Sequence, residues 1–263
     1  MELTVWQILV LAVVQGMTEF LPVSSSGHLV IVAAFLSPQG STEDLEVGGL
    51  NIVLHGGTLL SILVYYWHRI WRLVQQDRRT LWLLVVGTIP TVIVGVPLKL
   101  FVGDEVLANP LLAGALLPVT GILLLTVSRR SGTVRLKELS YGGSFFIGVG
   151  QALAILPGLS RSGTTITAGA RLGLSPTASA TFSFLLAIPA IVGACLLQVI
   201  QGLGQTESLI PWWHLALGAA TSFIVGLACL VWVIFWIERG RLYYFAWWCI
   251  PVGLAVVCWQ LLK

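Results

Sequence analysis

Charge is scarce in this chain. Only 10% of its 263 residues are Asp, Glu, Lys or Arg, while 57% are hydrophobic and the mean hydropathy is +0.93. Soluble globular domains carry roughly 25% charged residues. The shortage excludes an ordinary soluble fold and places the chain among polytopic membrane proteins. A net charge of +3, scattered along the sequence, is too little for a nucleic-acid surface. Cysteine is sparse as well. Cys195, Cys229, Cys249 and Cys258 all lie in apolar runs and none forms a CxxC pair, so they read as small packing residues and not as disulfides or metal ligands. A basic stretch ahead of the first apolar run is also missing, with Glu2 the only early charge. Residues 5–14 are therefore expected to be mature sequence and not a signal-peptide core.

Long apolar runs are abundant. Crossing a bilayer takes roughly 20 apolar residues, and six stretches qualify: about 50–67, 81–101, 110–128, 177–200, 211–237 and 243–262. Ten of the 14 Lys and Arg fall in three of the loops between them: Arg69, Arg72, Arg78 and Arg79; Arg129, Arg130, Arg135 and Lys137; Arg239 and Arg241. These loops are expected to be cytoplasmic by the positive-inside rule. The opposite loops are acidic or neutral, with Glu43, Asp44 and Glu46, then Asp104 and Glu105, then Glu207. The two kinds alternate without violation.

Two segments remain, 1–40 and 140–175. Each is apolar, breaks at a Pro/Gly/Ser cluster and becomes apolar again, in halves too short to span. Each is expected to be re-entrant, the alternative being one kinked span. They also resemble each other. A shift of 136 residues puts Gln15 on Gln151, Ser24 on Ser160, Ser26 on Ser162 and Gly27 on Gly163, aligning "QGMTEFLPVSSSG" with "QALAILPGLSRSG". Three spans, an odd number, follow each copy, so the second must enter from the opposite face. The expected architecture is an all-α integral membrane protein of six transmembrane helices and two re-entrant helical hairpins. It forms a single membrane domain over 1–263, an inverted-topology repeat of halves 1–128 and 129–263 whose broken helices meet near the midplane.

The paired turns carry the chemistry. Gln15 and Glu19 are spaced i, i+4 on one helix face, and Pro22 ends that helix. Ser24, Ser25, Ser26, Gly27 and His28 follow; the second turn offers Ser160, Arg161, Ser162, Gly163, Thr164 and Thr165. Helix N-termini with unpaired N–H groups, together with a guanidinium, make an anion site suited to phosphate. Ionisable residues inside a membrane segment point to function, and Glu19 and Arg161 both qualify. A serine hydroxyl or a water would attack the phosphate, with Glu19 or His28 taking the proton. Simpler roles exist for each residue alone: serines cap helices, and a buried Glu–Arg pair can be structural. His55, inside a span, fits a packing role as well as a site role. Arg171 is expected to snorkel to the cytoplasm.

"QGMTEFLPVSSSGH" and "PGLSRSGTT" resemble the two signature motifs of the bacterial undecaprenyl-diphosphate phosphatases of the bacitracin-resistance type, and "LNIVLHGGTLLSIL" is similar to that family's first full span. The resemblance covers essentially the whole chain. It implies a multi-pass inner-membrane enzyme that removes the terminal phosphate of undecaprenyl diphosphate, recycling the lipid carrier for peptidoglycan and other envelope polymers and conferring bacitracin resistance. It implies a fold with two re-entrant hairpins and an active site open to the periplasm. By the resemblance, Glu19, Ser25, His28 and Arg161 are catalytic. Gln15, Ser24, Ser26, Gly27, Ser160, Ser162, Gly163 and Thr165 bind substrate. A divalent cation, Mg²⁺ or Ca²⁺, would sit on Glu19 with Gln15, although many members carry Glu where this chain has Gln15, and an amide is the weaker ligand. The expected partners are a polyprenyl diphosphate and membrane lipids, with no nucleic acid; a homodimer stays open. The residues alone also fit a secondary transporter for an anion or for the lipid phosphate, since inverted repeats with broken helices are typical of that class.

Overall fold

The computed structural model describes residues 3–36, 49–127, 132–202 and 210–263. Glu43, Asp44, Glu46, Arg129, Arg130, Glu207 and the boundary between the two repeat halves lie outside the described residues. Among the described residues all regular structure is helical, apart from one isolated bridge, Val134–Leu174.

Thirteen helices are described. The first pair is α1 (Val5–Phe20) and α2 (Ser25–Leu36), followed by α3 (Leu50–Tyr65) and α4 (Trp67–Gln75). Then come α5 (Arg78–Pro90), which continues through a π turn at Thr91–Gly95, α6 (Val96–Val102), α7 (Asp104–Leu107) and α8 (Pro110–Leu125). The second pair is α9 (Tyr141–Leu153) and α10 (Arg161–Arg171), before α11 (Pro176–Gly202), α12 (Trp212–Glu238) and α13 (Ala246–Leu261).

Four stretches are long and apolar enough to cross a membrane: Arg78–Gly95, Pro176–Ile200, Trp212–Glu238 and Leu242–Leu261. A fifth arises if α3 and α4, bent by 70°, count as one span. The expectation of six is met in part. The stretches expected at 50–67 and 110–128 form helices of 16 residues, about 24 Å long at 1.5 Å per residue, short of a hydrocarbon core of roughly 30 Å. The first breaks at Tyr66 into the strongly amphipathic α4, whose arginines cannot stay in hydrocarbon. Many large apolar side chains face outward, among them Ile224, Val92 and Trp247, as membrane contact requires.

Both odd segments are helix pairs that return to their starting point. Gln7 Nε2 near the start of α1 donates to the Leu36 carbonyl at the end of α2 (3.2 Å). The chain enters α9 and leaves α10 beside the Val134–Leu174 bridge, where Val134 N donates to Gly173 O (3.0 Å) and Ser175 N to Val134 O (3.0 Å). The basic loops gather at this second end. Arg79 donates to the Lys137 and Leu139 carbonyls (2.7 and 2.8 Å), and Thr177 Oγ1 donates to Glu238 Oε1 (3.2 Å). Arg171 is exposed there. The first pair opens at the other end, where Ile8 and Leu11 pack with Leu50 and Ile210. α12 lies along α1 and α3, and α5 lies along α9. Small residues allow the close approach: Gly226 of α12 sits against Phe20 and Ser61, and Gly218 against Ile8 and Leu54. Of the four free cysteines, Cys249 is buried as expected of a packing residue, whereas Cys258 is exposed.

Asp77 secures the loop between α4 and α5. Its Oδ1 accepts from Thr80 N (3.2 Å), and its Oδ2 accepts from Thr80 Oγ1 (2.9 Å) and Arg69 Nη2 (3.0 Å). Burial by itself raises the carboxyl pKa; the Thr80 hydrogen bonds and the Arg69 charge outweigh it, and the net shift is downward. A lowered folded-state pKa means that the stabilisation is present above the ordinary carboxylate range and is lost as pH falls through the folded value. Asp77→Ala is expected to cost about 1 kcal/mol at neutral pH, and the gap from the unsubstituted protein should close in acid. Thermal unfolding at both pH values checks this.

Candidate active site

Each serine-bearing turn is built from a helix end, a proline-bearing break and a helix start. α1 stops at Phe20, since Pro22 keeps Leu21 extended (ψ 141°). Ser24 then takes a left-handed backbone (φ 72°), the only non-glycine among the described residues to do so. A non-glycine residue there is strained and must be held. Several groups hold it. Ser24 Oγ accepts from Gly27 N (3.3 Å) and from Gly158 N of the second turn (3.1 Å), and its carbonyl accepts from His28 Nδ1 (2.8 Å). In the second turn Ser160 caps α10, its Oγ accepting from Gly163 N (3.1 Å). Thr120 of α8 donates to Gly158 O (2.8 Å) and accepts from Ser160 N (3.0 Å). Ser162 Oγ returns the link by donating to the Leu21 carbonyl (3.1 Å).

The two turns are thus tied reciprocally, and between them lies one carboxylate. Arg161 Nη2 donates to Glu19 Oε1 (2.6 Å). Ser25 Oγ (2.6 Å) and Gln15 Nε2 (3.0 Å) both donate to Glu19 Oε2. His55 Nε2 stands 3.9 Å from the same oxygen. Glu19 is buried at 6% exposure and Gln15 at 0%. Arg161 Nη1 is also buried and finds no hydrogen-bond partner in the protein, so one arm of the guanidinium binds Glu19 and the other is free to donate. A cavity of about 340 Å³ opens over this cluster. Glu19, Ser24, Ser25, Ser26, Ser160 and Arg161 line it. A serine hydroxyl on a carboxylate beside a guanidinium, with helices α2 and α10 starting at the same place, is an arrangement for holding an anion and deprotonating a nucleophile.

Residues 8–255 match the family described as bacitracin resistance protein BacA. The chain belongs to the BacA family. The undecaprenyl-diphosphatase of Rhodopirellula baltica is 49% identical over 95% of this chain and 96% of the relative. Those of Desulfosudis oleivorans (41%, covering 95% and 96%) and Desulforudis audaxviator (40%, covering 97% and 97%) are also similar.

In this BacA chain the motif residues divide by position. Gln15, Gly27, His28, Ser162, Gly163 and Thr165 do not line the cavity but lie behind its wall. Thr165 Oγ1 donates to the Arg161 carbonyl (2.7 Å) and bonds with Ser183 Oγ (2.6 Å), fixing α10 on α11. Both nitrogens of His28 are engaged. A carbonyl can only accept, so Nδ1 carries the proton, and Nε2 accepts from Trp248 Nε1 (2.9 Å). His55 presents the opposite case. Its Nδ1 donates to the Asn51 carbonyl (2.9 Å), and its Nε2 faces the cavity and Glu19.

Thr18, Thr88, Thr91 and Gln151 also line the cavity and were not assigned from the motifs. Gln151 had a signal, since it is the partner of Gln15 under the 136-residue shift; its Nε2 donates to Thr91 Oγ1 (3.1 Å) and its Oε1 is buried without a partner. Thr88 and Thr91 had none. A divalent cation does not fit this donor set. Glu19 is the one carboxylate in the cluster, three donors already occupy its oxygens, and Gln15 turns its N–H and not its carbonyl oxygen towards it. Hard cations take six or more oxygens or an open, carboxylate-rich site. Among the described residues no three His, Cys, Asp or Glu side chains meet.

Proposed function

We propose that this chain is a polyprenyl-diphosphate phosphatase, hydrolysing undecaprenyl diphosphate to undecaprenyl phosphate and inorganic phosphate. The observation that carries the proposal is the Ser25–Glu19–Arg161 chain of hydrogen bonds at the meeting point of two helix starts. Family membership and the names of the relatives support it. The product would return the lipid carrier to peptidoglycan and other envelope synthesis, and more rapid turnover of the diphosphate would lower sensitivity to bacitracin.

The diphosphate binds between the helix starts and Arg161 Nη1. Ser25 passes its proton to Glu19 as its Oγ attacks the terminal phosphorus. The Oγ–P bond forms, the P–O bond to the lipid phosphate breaks, and the lipid phosphate leaves. Glu19 hands that proton to the departing lipid phosphate and is again a carboxylate. Water then attacks the phosphoserine as its proton passes to Glu19, the P–Oγ bond breaks, and Glu19 returns the proton to Ser25 as inorganic phosphate departs. Charge neutralisation by Arg161 and the helix N-termini supplies most of the acceleration. His28 acts as a positioning residue, holding the strained Ser24 that aims Ser25. His55, whose Nε2 faces Glu19, is placed to relay the proton.

We read the two helix pairs as re-entrant hairpins of an inverted repeat of halves 1–128 and 129–263, with six transmembrane passages in the inner membrane and the cavity open to the periplasm. The support is that each pair returns to its own end, that the two ends are opposite, and that the basic loops collect at the second. A transporter would need the anion site but has less use for a serine hydrogen-bonded to the carboxylate.

Purified protein given undecaprenyl diphosphate is expected to release inorganic phosphate, and Ser25→Ala to reduce that release by at least about 10²-fold. Labelled terminal phosphate should be trapped on Ser25 by rapid acid quench. Transport of the lipid in vesicles with no phosphate release would sink the proposal.

A further inference from the structure

A second cavity adjoins the first. It measures about 530 Å³ and runs between α5 and α11 down to α4. Its walls are wholly apolar where they are exposed, with Leu81, Leu84 and Val85 on one side, Leu185 and Ile188 on the other, and Leu73 at the far end. It shares three lining residues with the active-site cavity: Thr88, Val92 and Pro189. Thr88 turns its hydroxyl back to the Leu84 carbonyl (2.8 Å), so this waist presents methyl, isopropyl and ring carbons. The opening exists because two helices are irregular at the same level. α5 passes into its π turn at Thr91–Gly95, and α11 carries Pro189 in its interior. Both irregularities weaken the regular backbone ladder and are features that cluster at functional sites.

We propose that this groove is the seat of the substrate's isoprenoid tail, which leaves the phosphate site through the Thr88–Val92–Pro189 waist and runs along α5 towards the arginine-rich end. The inference rests on the reading of the protein as a polyprenyl-diphosphate phosphatase. The two cavities adjoin at a shared wall, with all of the charge on the Arg161 side and none on the exposed groove wall, so together they match the polarity of an amphiphile with an anionic head. From Val92 back to Leu81 the helix covers about 16 Å, room for the first isoprene units beyond the diphosphate. The remainder of the tail would lie in the bilayer beside α4. The groove opens laterally, since Val85 and Ile89 on its rim are 46% and 40% exposed, so a membrane-resident tail enters sideways without crossing the protein. An apolar groove of this kind binds through burial of tail surface, and filling it should penalise long tails only.

The test uses two substrates with the same headgroup: undecaprenyl diphosphate, and dimethylallyl diphosphate, whose single isoprene unit reaches no further than the waist. Val85→Trp and Ile89→Trp fill the groove from its exposed rim, and Ile224→Trp, on the outward face of α12, is the control. The expected result is a loss of roughly ten-fold or more in kcat/KM for the long substrate, with dimethylallyl diphosphate and the control unchanged. A benzophenone placed on the first isoprene units should cross-link to peptides of α5 or α11, whether or not hydrolysis occurs. Unchanged long-chain turnover in both groove variants, or cross-links confined to other helices, would overturn the proposal and leave the groove to bilayer lipid. An equal loss with both substrates would overturn it too, because the phosphate site and not the tail would then be affected. Absence of phosphate release by the unsubstituted protein would instead defeat the phosphatase reading, and the cross-link pattern would still decide the groove.

Discussion

Arg161→Ala is expected to reduce phosphate release by about 10³-fold or more. In the proposed mechanism the guanidinium has two tasks. Its Nη2 holds Glu19 Oε1 at 2.6 Å, and its buried Nη1, which has no hydrogen-bond partner in the protein, is the donor proposed for a phosphate oxygen. Removing it deletes the site's strong positive charge and leaves the Glu19 carboxylate buried without its counter-charge, which by itself costs about 3–5 kcal/mol of stability. Activity loss in the alanine variant therefore mixes two effects, and Arg161→Lys separates them. Lysine keeps the charge near Glu19, so the protein should unfold within a few degrees of the original. Its ammonium cannot hold a carboxylate and a phosphate in one planar fork. Turnover should still fall, by roughly 10²-fold, mainly in kcat. A lysine variant with unaltered kcat would show that Arg161 is only the structural partner of Glu19.

Gly158→Ala should be nearly as damaging, and for a purely geometric reason. Gly158 has φ 94°, a conformation that an L residue rarely adopts. An added methyl would overlap the Ala113 carbonyl and come within 2.9 Å of Leu116 Cβ. The same residue donates its N–H to Ser24 Oγ (3.1 Å) and offers its carbonyl to Thr120 (2.8 Å). Strain and overpacking together predict a loss of roughly 2–5 kcal/mol. Any relief by backbone movement would draw the second turn away from the first, separating Arg161 from Glu19 and Ser25. Both the unfolding temperature and phosphate release should drop. Gly142→Ala is the comparison. A methyl there meets nothing within 4 Å, in the first turn of α9, and should leave both measurements unchanged or raise stability by about 0.5–1 kcal/mol. Equal behaviour of the two alanine variants would mean that the turns are not held together through Gly158.

Much of the helical layout was legible because its causes are local. Apolar runs, the Pro22 break and the serine caps at Ser24 and Ser160 act over three or four residues, and the positions of α5, α11, α12 and α13 follow from them. The lengths of α3 and α8 did not. Hydropathy continues through Tyr66, but the helix bends by 70° there into the arginine-bearing α4, and no proline or glycine marks the place of the bend.

The site shows the same division. Glu19 and Arg161 stand out as ionisable groups in apolar surroundings, and the 136-residue shift indicates that the two turns belong together, whereas Ser25 is singled out from Ser24 and Ser26 only by the family resemblance. Which of the two histidines faces the carboxylate has no such marker. His28 sits in the motif, yet Trp248, 220 positions away, occupies its Nε2; His55 sits in an apolar span, yet reaches Glu19. Thr88, Thr91 and Pro189 become cavity walls only because a π turn in one half of the chain lies opposite a proline in the other.

Membrane residence, helical class and the two polar turns were therefore set by composition and short-range spacing. The pairing of Glu19 with an arginine 142 residues away, the exclusion of a metal-type donor set and the groove leading off the site depend on how helices pack. That packing is settled by side-chain shape across helix faces, and no periodicity along a single strand of sequence records it.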